Sequence, residues 1–107
     1  MVARAPLRYT PTMTADELLA SLAEGTPPRR ASRELLALWL DAKGDFDGSH
    51  EIAQALTNPG GALIHAYLHR KEGDLGNARY WYRQAGVDLP STSLEAEWRS
   101  LVEHFSS

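Results

Sequence analysis

Apolar residues recur along most of this chain at intervals of three and four, the spacing of a helical face, and short polar or glycine-bearing segments interrupt them. Leu18, Leu19 and Leu22 follow Thr14-Ala15-Asp16-Glu17, which reads as a capping box, and Gly25 offers a left-handed stop, so a first helix is predicted over 15–24. Thr26-Pro27-Pro28 is a rigid connector, and Pro28 suits the first turn of a second helix. In that helix Leu35, Leu36, Leu38, Trp39 and Leu40 cover too wide an arc for a single buried side, which predicts burial against two neighbours. Gly44 ends it, and Asp45 is placed to cap a third helix over 47–56 that carries Ile52, Ala53 and Leu56.

Thr57-Asn58-Pro59-Gly60-Gly61 reads as a break, so the fourth helix is predicted over 62–72, with Gly73 as its stop. Asp74 caps a fifth over 75–85, closed by Gly86, and a connector containing Pro90 follows. Thr92 and Glu95 form another candidate capping box. Behind it Leu94, Trp98, Leu101, Val102 and Phe105 make one stripe, with Glu95, Glu97, Arg99 and Glu103 expected to face water. The expectation is an all-α domain of about six helices spanning 1–107. Within it 1–13 is an irregular arm, 28–56 and 60–86 are helix-turn-helix hairpins, and 93–105 is a capping helix.

The two hairpins are copies. Gly44-Asp45-Phe46 and Gly73-Asp74-Leu75 are the same turn, and 73 minus 44 gives a period of 29 residues. At that offset Leu35 matches Ile64, Ala37 matches Ala66, Trp39 matches Leu68 and Ile52 matches Trp81. Gly73-Asp74-Leu75-Gly76-Asn77-Ala78, with Tyr82, Ala85 and Pro90, resembles a tetratricopeptide repeat, over about 61–90 closely and 31–60 loosely. The period is shorter than that family's roughly 34 residues, and Ser49 and Ala53 stand where Ala and an aromatic are usual. The string Leu68 to Leu75 with Tyr80-Trp81-Tyr82-Arg83 is also similar to small bacterial proteins without an assigned activity, and implies none. Repeats of this kind gain stability by stacking between atypical ends. The first and sixth helices are expected to supply those ends, the sixth covering the open face of the second hairpin.

Composition narrows the function classes. The 107 residues suit one core, and the absence of cysteine excludes disulfides and thiolate metal sites. Net charge is −3, and the basic cluster Arg29, Arg30 and Arg33 is too small for a nucleic-acid face. No signal-peptide core or long apolar run occurs, so a cytoplasmic protein without a membrane role is expected.

Candidate chemistry is sparse. His65 and His69 stand four apart on one face of the fourth helix with Glu72 beside them, and His50 in the preceding hairpin could approach. These four outline a small-ligand pocket, or a zinc or nickel site that lacks a certain third ligand. The repeat register instead sets His65 and His69 opposite Leu36 and Leu40, as packing histidines. On this basis no metal, cofactor or catalytic residue is assigned. The repeat resemblance implies a peptide groove at Leu63, Tyr67, Arg70 and Lys71, with the two cations able to hold a carboxylate, although both also favour the end of their own helix. Tyr80, with Arg79 and Arg83, offers an exposed edge for a partner, or packs under the sixth helix. Asp41, Asp45, Asp47 and Glu51 form an acidic cluster read as capping and solvation, since a calcium loop's later glutamate is missing. No nucleophile elbow or phosphate loop is present. The leading expectation is a non-enzymatic module that binds a protein or peptide. The alternative is the histidine pocket, and a third expectation is a homodimer covering the apolar edges of the stack.

Overall fold

The computed structural model describes residues 14–106, so the predicted arm over 1–13 lies outside the described residues. It contains α1 (Ala15–Ser21), running into a 3-10 turn (Leu22–Glu24), α2 (Arg33–Ala42), α3 (Phe46–Ala55), α4 (Pro59–Lys71), α5 (Leu75–Ala85) and α6 (Leu94–Phe105). There is no strand among the described residues, and no helix is long and apolar enough to cross a membrane.

Local signals account for most boundaries. Thr14 and Glu17 complete the capping box: the Glu17 amide donates to the Thr14 hydroxyl at 3.1 Å, and the Thr14 amide to the Glu17 carboxylate at 3.0 Å. The two repeat turns share their backbone angles and hydrogen bonds. Gly44 and Gly73 take φ of 92° and 85°, where a side chain would be strained. The amides of Asp45 and Asp74 reach back to the Leu40 and His69 carbonyls at 2.8 and 2.9 Å, and those of Gly44 and Gly73 bond Asp41 and Arg70 at 3.0 Å. That bond pair is a Schellman stop, and each Asp side chain then caps the following helix.

Three expectations change. The second helix starts at Arg33 rather than 28, because Ser32 caps the Leu35 amide at 3.2 Å, while Pro28 closes a turn onto the Ala31 amide. The fourth starts at Pro59 rather than 62: Asn58 caps the Gly61 amide at 2.8 Å, and Pro59 occupies the first turn, where its missing N–H costs nothing. The apparent breaker Gly60-Gly61 is therefore helical. A Cβ on Gly61 would lie 2.5 Å from the Leu56 carbonyl oxygen, so this glycine is what lets the start of α4 press against the end of α3. Finally, α6 is capped by Ser93 on the Ala96 amide, not by Thr92 with Glu95.

The helices α2 and α3 pair, as do α4 and α5, and α3 packs on α4. The sixth helix crosses both hairpins instead of closing the second alone: it touches α1, α2 and α4, and the Trp98 indole donates to the Leu38 carbonyl at 3.0 Å. The core beneath it joins Leu18, Leu35, Leu38, Ile64, Leu68 and Val102, all fully buried, and each such side chain contributes on the order of 2 kcal/mol by leaving water. Ala66, Ala78 and Tyr82 pack as a smaller group between α4 and α5.

Candidate metal centre

The close packing of α3 on α4 places His50 opposite the one polar strip of α4, and the i, i+4 spacing sets His65 and His69 one turn apart on that strip. The three imidazoles converge. His65 and His69 lie nearly parallel with ring centres 4.8 Å apart, and His50 meets both edge-on at 4.6 and 5.5 Å. The Trp81 indole from α5 stacks on His65 at 4.2 Å, so Trp81, His65 and His69 form a column of rings, while Phe46 stands 6.0 Å from His50. Nε2 of His65 and Nε2 of His50 are 3.0 Å apart, one N–H donating to the other ring's lone pair.

One donor nitrogen from each of His50, His65 and His69 falls within 4.8 Å of the others. Around a tetrahedral zinc ion, nitrogens at their usual bond length stand about 3.4 Å apart, so small side-chain rotations would close this set on a cation. His65 is only 7% exposed. Burial, aided by electrostatic repulsion from the His50 and His69 rings, pushes its pKa down to about 4, which keeps it in the neutral form that ligates metals. His69 Nδ1 bonds a Glu72 carboxylate oxygen at 2.8 Å, which orients the ring and leaves its Nε2 for an ion. That carboxylate–histidine arrangement is the usual support behind a metal ligand. A second acidic grouping, His69 with Glu72 and Asp74, has a simpler origin. Asp74 is held below its ordinary carboxylate range by hydrogen bonds from Asn77, as a helix cap.

The residues of the expected peptide groove meet other partners. Tyr67 is buried and its hydroxyl donates to Asp41 at 2.8 Å; Lys71, 40% exposed, pairs with the same carboxylate at 2.7 Å. Arg70 pairs with Glu97 at 2.6 Å and also donates to the Thr92 carbonyl. Leu63 is half-buried against the core. Tyr80 and Arg83 lie exposed on α5, Tyr80 edge-on to Trp81 at 5.1 Å.

Two functional-looking acids escaped the sequence reading. Glu97, expected in water, is 6% exposed and accepts from the Tyr82 hydroxyl at 2.5 Å as well as from Arg70. Asp41, read as part of a solvated cluster, is buried between Tyr67 and Lys71, whereas Asp45 is a cap and Asp47 and Glu51 are exposed. Their helical phase held the signal: Glu97 is three residues after Leu94 and four before Leu101, inside the apolar stripe. Burial against these carboxylates raises the pKa of both tyrosines, so the phenols stay protonated donors.

Clefts adjoin both groups. One of about 510 Å³, between α1, α2, α4 and α6, is lined by Leu19, Tyr67, Lys71, Trp98 and Arg99. Another of about 340 Å³ is lined by His65, Trp81, Gln54, Asn58 and Gln84, among others. No family model matches this chain, and no curated protein or solved structure does either, so the three-imidazole cluster is read from its own geometry.

Proposed function

We propose that this domain binds a divalent transition-metal ion, such as zinc or nickel, through His50, His65 and His69. The observation that carries the reading is the convergence of three imidazole nitrogens within 4.8 Å, contributed by two helices. Imidazole suits zinc, nickel, cobalt and copper, and the soft thiolates and oxygen cages that select other ions are absent from this set. Purely structural histidines would also pack between helices, but three in mutual contact bring repulsion whenever more than one is protonated, and a bound cation removes that conflict. Glu72 supports His69 from outside.

Titration calorimetry of untagged protein with Zn²⁺ and Ni²⁺ tests the reading. One ion per chain is expected, with uptake lost in His65→Ala and in His50→Ala. Quenching of Trp81 emission by Ni²⁺, lost in Trp81→Phe, would locate the ion beside the stacked ring. No uptake by the native chain would overturn the proposal.

A second reading, a protein- or peptide-binding module, is supported by the 510 Å³ cleft, because Tyr67 and Lys71 of the implied groove line it. The charge of Lys71 is already met by Asp41, which weakens a carboxylate clamp there. A partner that uses this cleft should bind less well to Leu19→Asp and Lys71→Ala; binding unaffected by both would remove it.

A further inference from the structure

An ion with three imidazole ligands needs at least a fourth, and the described residues add no carboxylate or further histidine to the His50–His65–His69 set. The nearest acids, Glu72 and Asp74, stand 2.8 and 4.0 Å from Nδ1 of His69, the nitrogen that would face away from the ion. Sites with three protein ligands keep the remaining position for water or an exchangeable ligand.

The 340 Å³ cleft is lined by His65, though not by His50 or His69, and has the size of a small-molecule pocket. Its wall is the Trp81 indole, and no charged residue lines it. Three neutral imidazoles leave the double charge of the ion uncompensated, and the cleft supplies no carboxylate to compensate it. An anionic ligand is therefore favoured over a neutral one. Polar groups stand ready for the rest of such a molecule. The side-chain amides of Gln54, four residues after His50 and so on the same face of α3, and of Gln84 on α5 have no hydrogen-bond partner among the described residues. Asn58 uses its Oδ1 on the Gly61 amide and keeps its NH₂ group to donate.

We infer that a metal ion at His50, His65 and His69 keeps a coordination position open to the Trp81 cleft, and that this position takes a small oxygen anion of the carboxylate or hydroxamate class. Gln54, Asn58 and Gln84 bind the remainder of that ligand. This rests on the metal-binding reading, and its test separates the two.

The visible absorption spectrum of the Co²⁺-loaded protein is followed while acetohydroxamate, as the probe, is added. A saturable change in the cobalt bands is expected. In Gln54→Ala/Gln84→Ala the probe should bind roughly fivefold or more weakly, the size expected for lost hydrogen bonds, with Co²⁺ affinity unchanged. Failure of Co²⁺ itself to bind would overturn the metal reading. Bound Co²⁺ whose spectrum ignores the probe would overturn the open position alone. A spectral change with equal probe affinity in the double variant would overturn the cleft as the seat of the ligand.

Discussion

The molecule buries polar side chains in two quite different ways. Around Asp41 and Glu97 every group meets its complement: each carboxylate accepts from one tyrosine hydroxyl and one cation, and the two clusters tie α2 to α4 and α6 to α4 and α5. Around His50, His65 and His69 three groups of the same kind face one another, sharing one hydrogen bond between two rings. A satisfied network of opposite charges is complete as it stands and holds helices in register. A cluster of like bases has lone pairs to spare, and its arrangement costs stability unless something binds there. Completeness, more than burial, separates the structural site from the candidate functional one.

The paired network is tested most directly by removing Glu97. Glu97→Ala leaves the Arg70 guanidinium and the Tyr82 hydroxyl without their shared acceptor, so a loss of about 3–5 kcal/mol in urea unfolding is expected, with metal uptake retained in the folded fraction. A loss below about 1 kcal/mol would mean the network is replaceable by water. The histidine cluster should behave in the opposite sense. Free Zn²⁺ at one hundred times its Kd should stabilise the native chain by about 2.7 kcal/mol in the same experiment and leave His65→Ala unchanged.

A smaller effect sharpens the role of the supporting acid. Glu72→Gln, which keeps the shape but removes the charge behind His69, should weaken Zn²⁺ binding by about tenfold in calorimetry while hardly altering apo stability, since Glu72 is exposed. Equal affinity would make the His69–Glu72 contact an ordinary surface pair.

The effect that builds most gradually is the pH dependence of the apo protein. The pKa of His65 in the folded state, about 4, is below its unfolded value of 6.5. The unfolded chain therefore binds the extra proton across that interval, and stability contributed by the neutral ring falls as pH drops from about 6.5 toward 4. The slope should be roughly 1 kcal/mol per pH unit, and flatter in His65→Leu. Identical slopes for the two proteins would show that His65 is not held neutral by its surroundings.

Much of the architecture was legible in the residues. The Gly-Asp turns and the caps at Thr14, Asp45 and Asp74 are local patterns whose hydrogen bonds span three to five positions, and they set the start of α1 and the connections α2–α3 and α4–α5. Gly60-Gly61 misled because a glycine pair reads equally as a break and as room for a close approach, and the Leu56 carbonyl that decides between them lies just past the end of α3.

The histidine site was half legible. The i, i+4 pair His65 and His69 is a property of one helix and follows from its 3.6-residue turn. That His50 completes the set, that Trp81 stacks on it, and that Asp41 and Glu97 neutralise Arg70 and Lys71 depended on contacts 15 to 30 residues apart in the chain. Such pairings are set by how whole helices pack, because the rotation of each helix about its axis is chosen by its entire buried stripe. Neighbouring residues along the chain set the helices, the Gly-Asp turns and the pair of imidazoles on α4. The packing of whole helices decided which side chains would meet that pair, and so made His50, a candidate on sequence grounds, its third member.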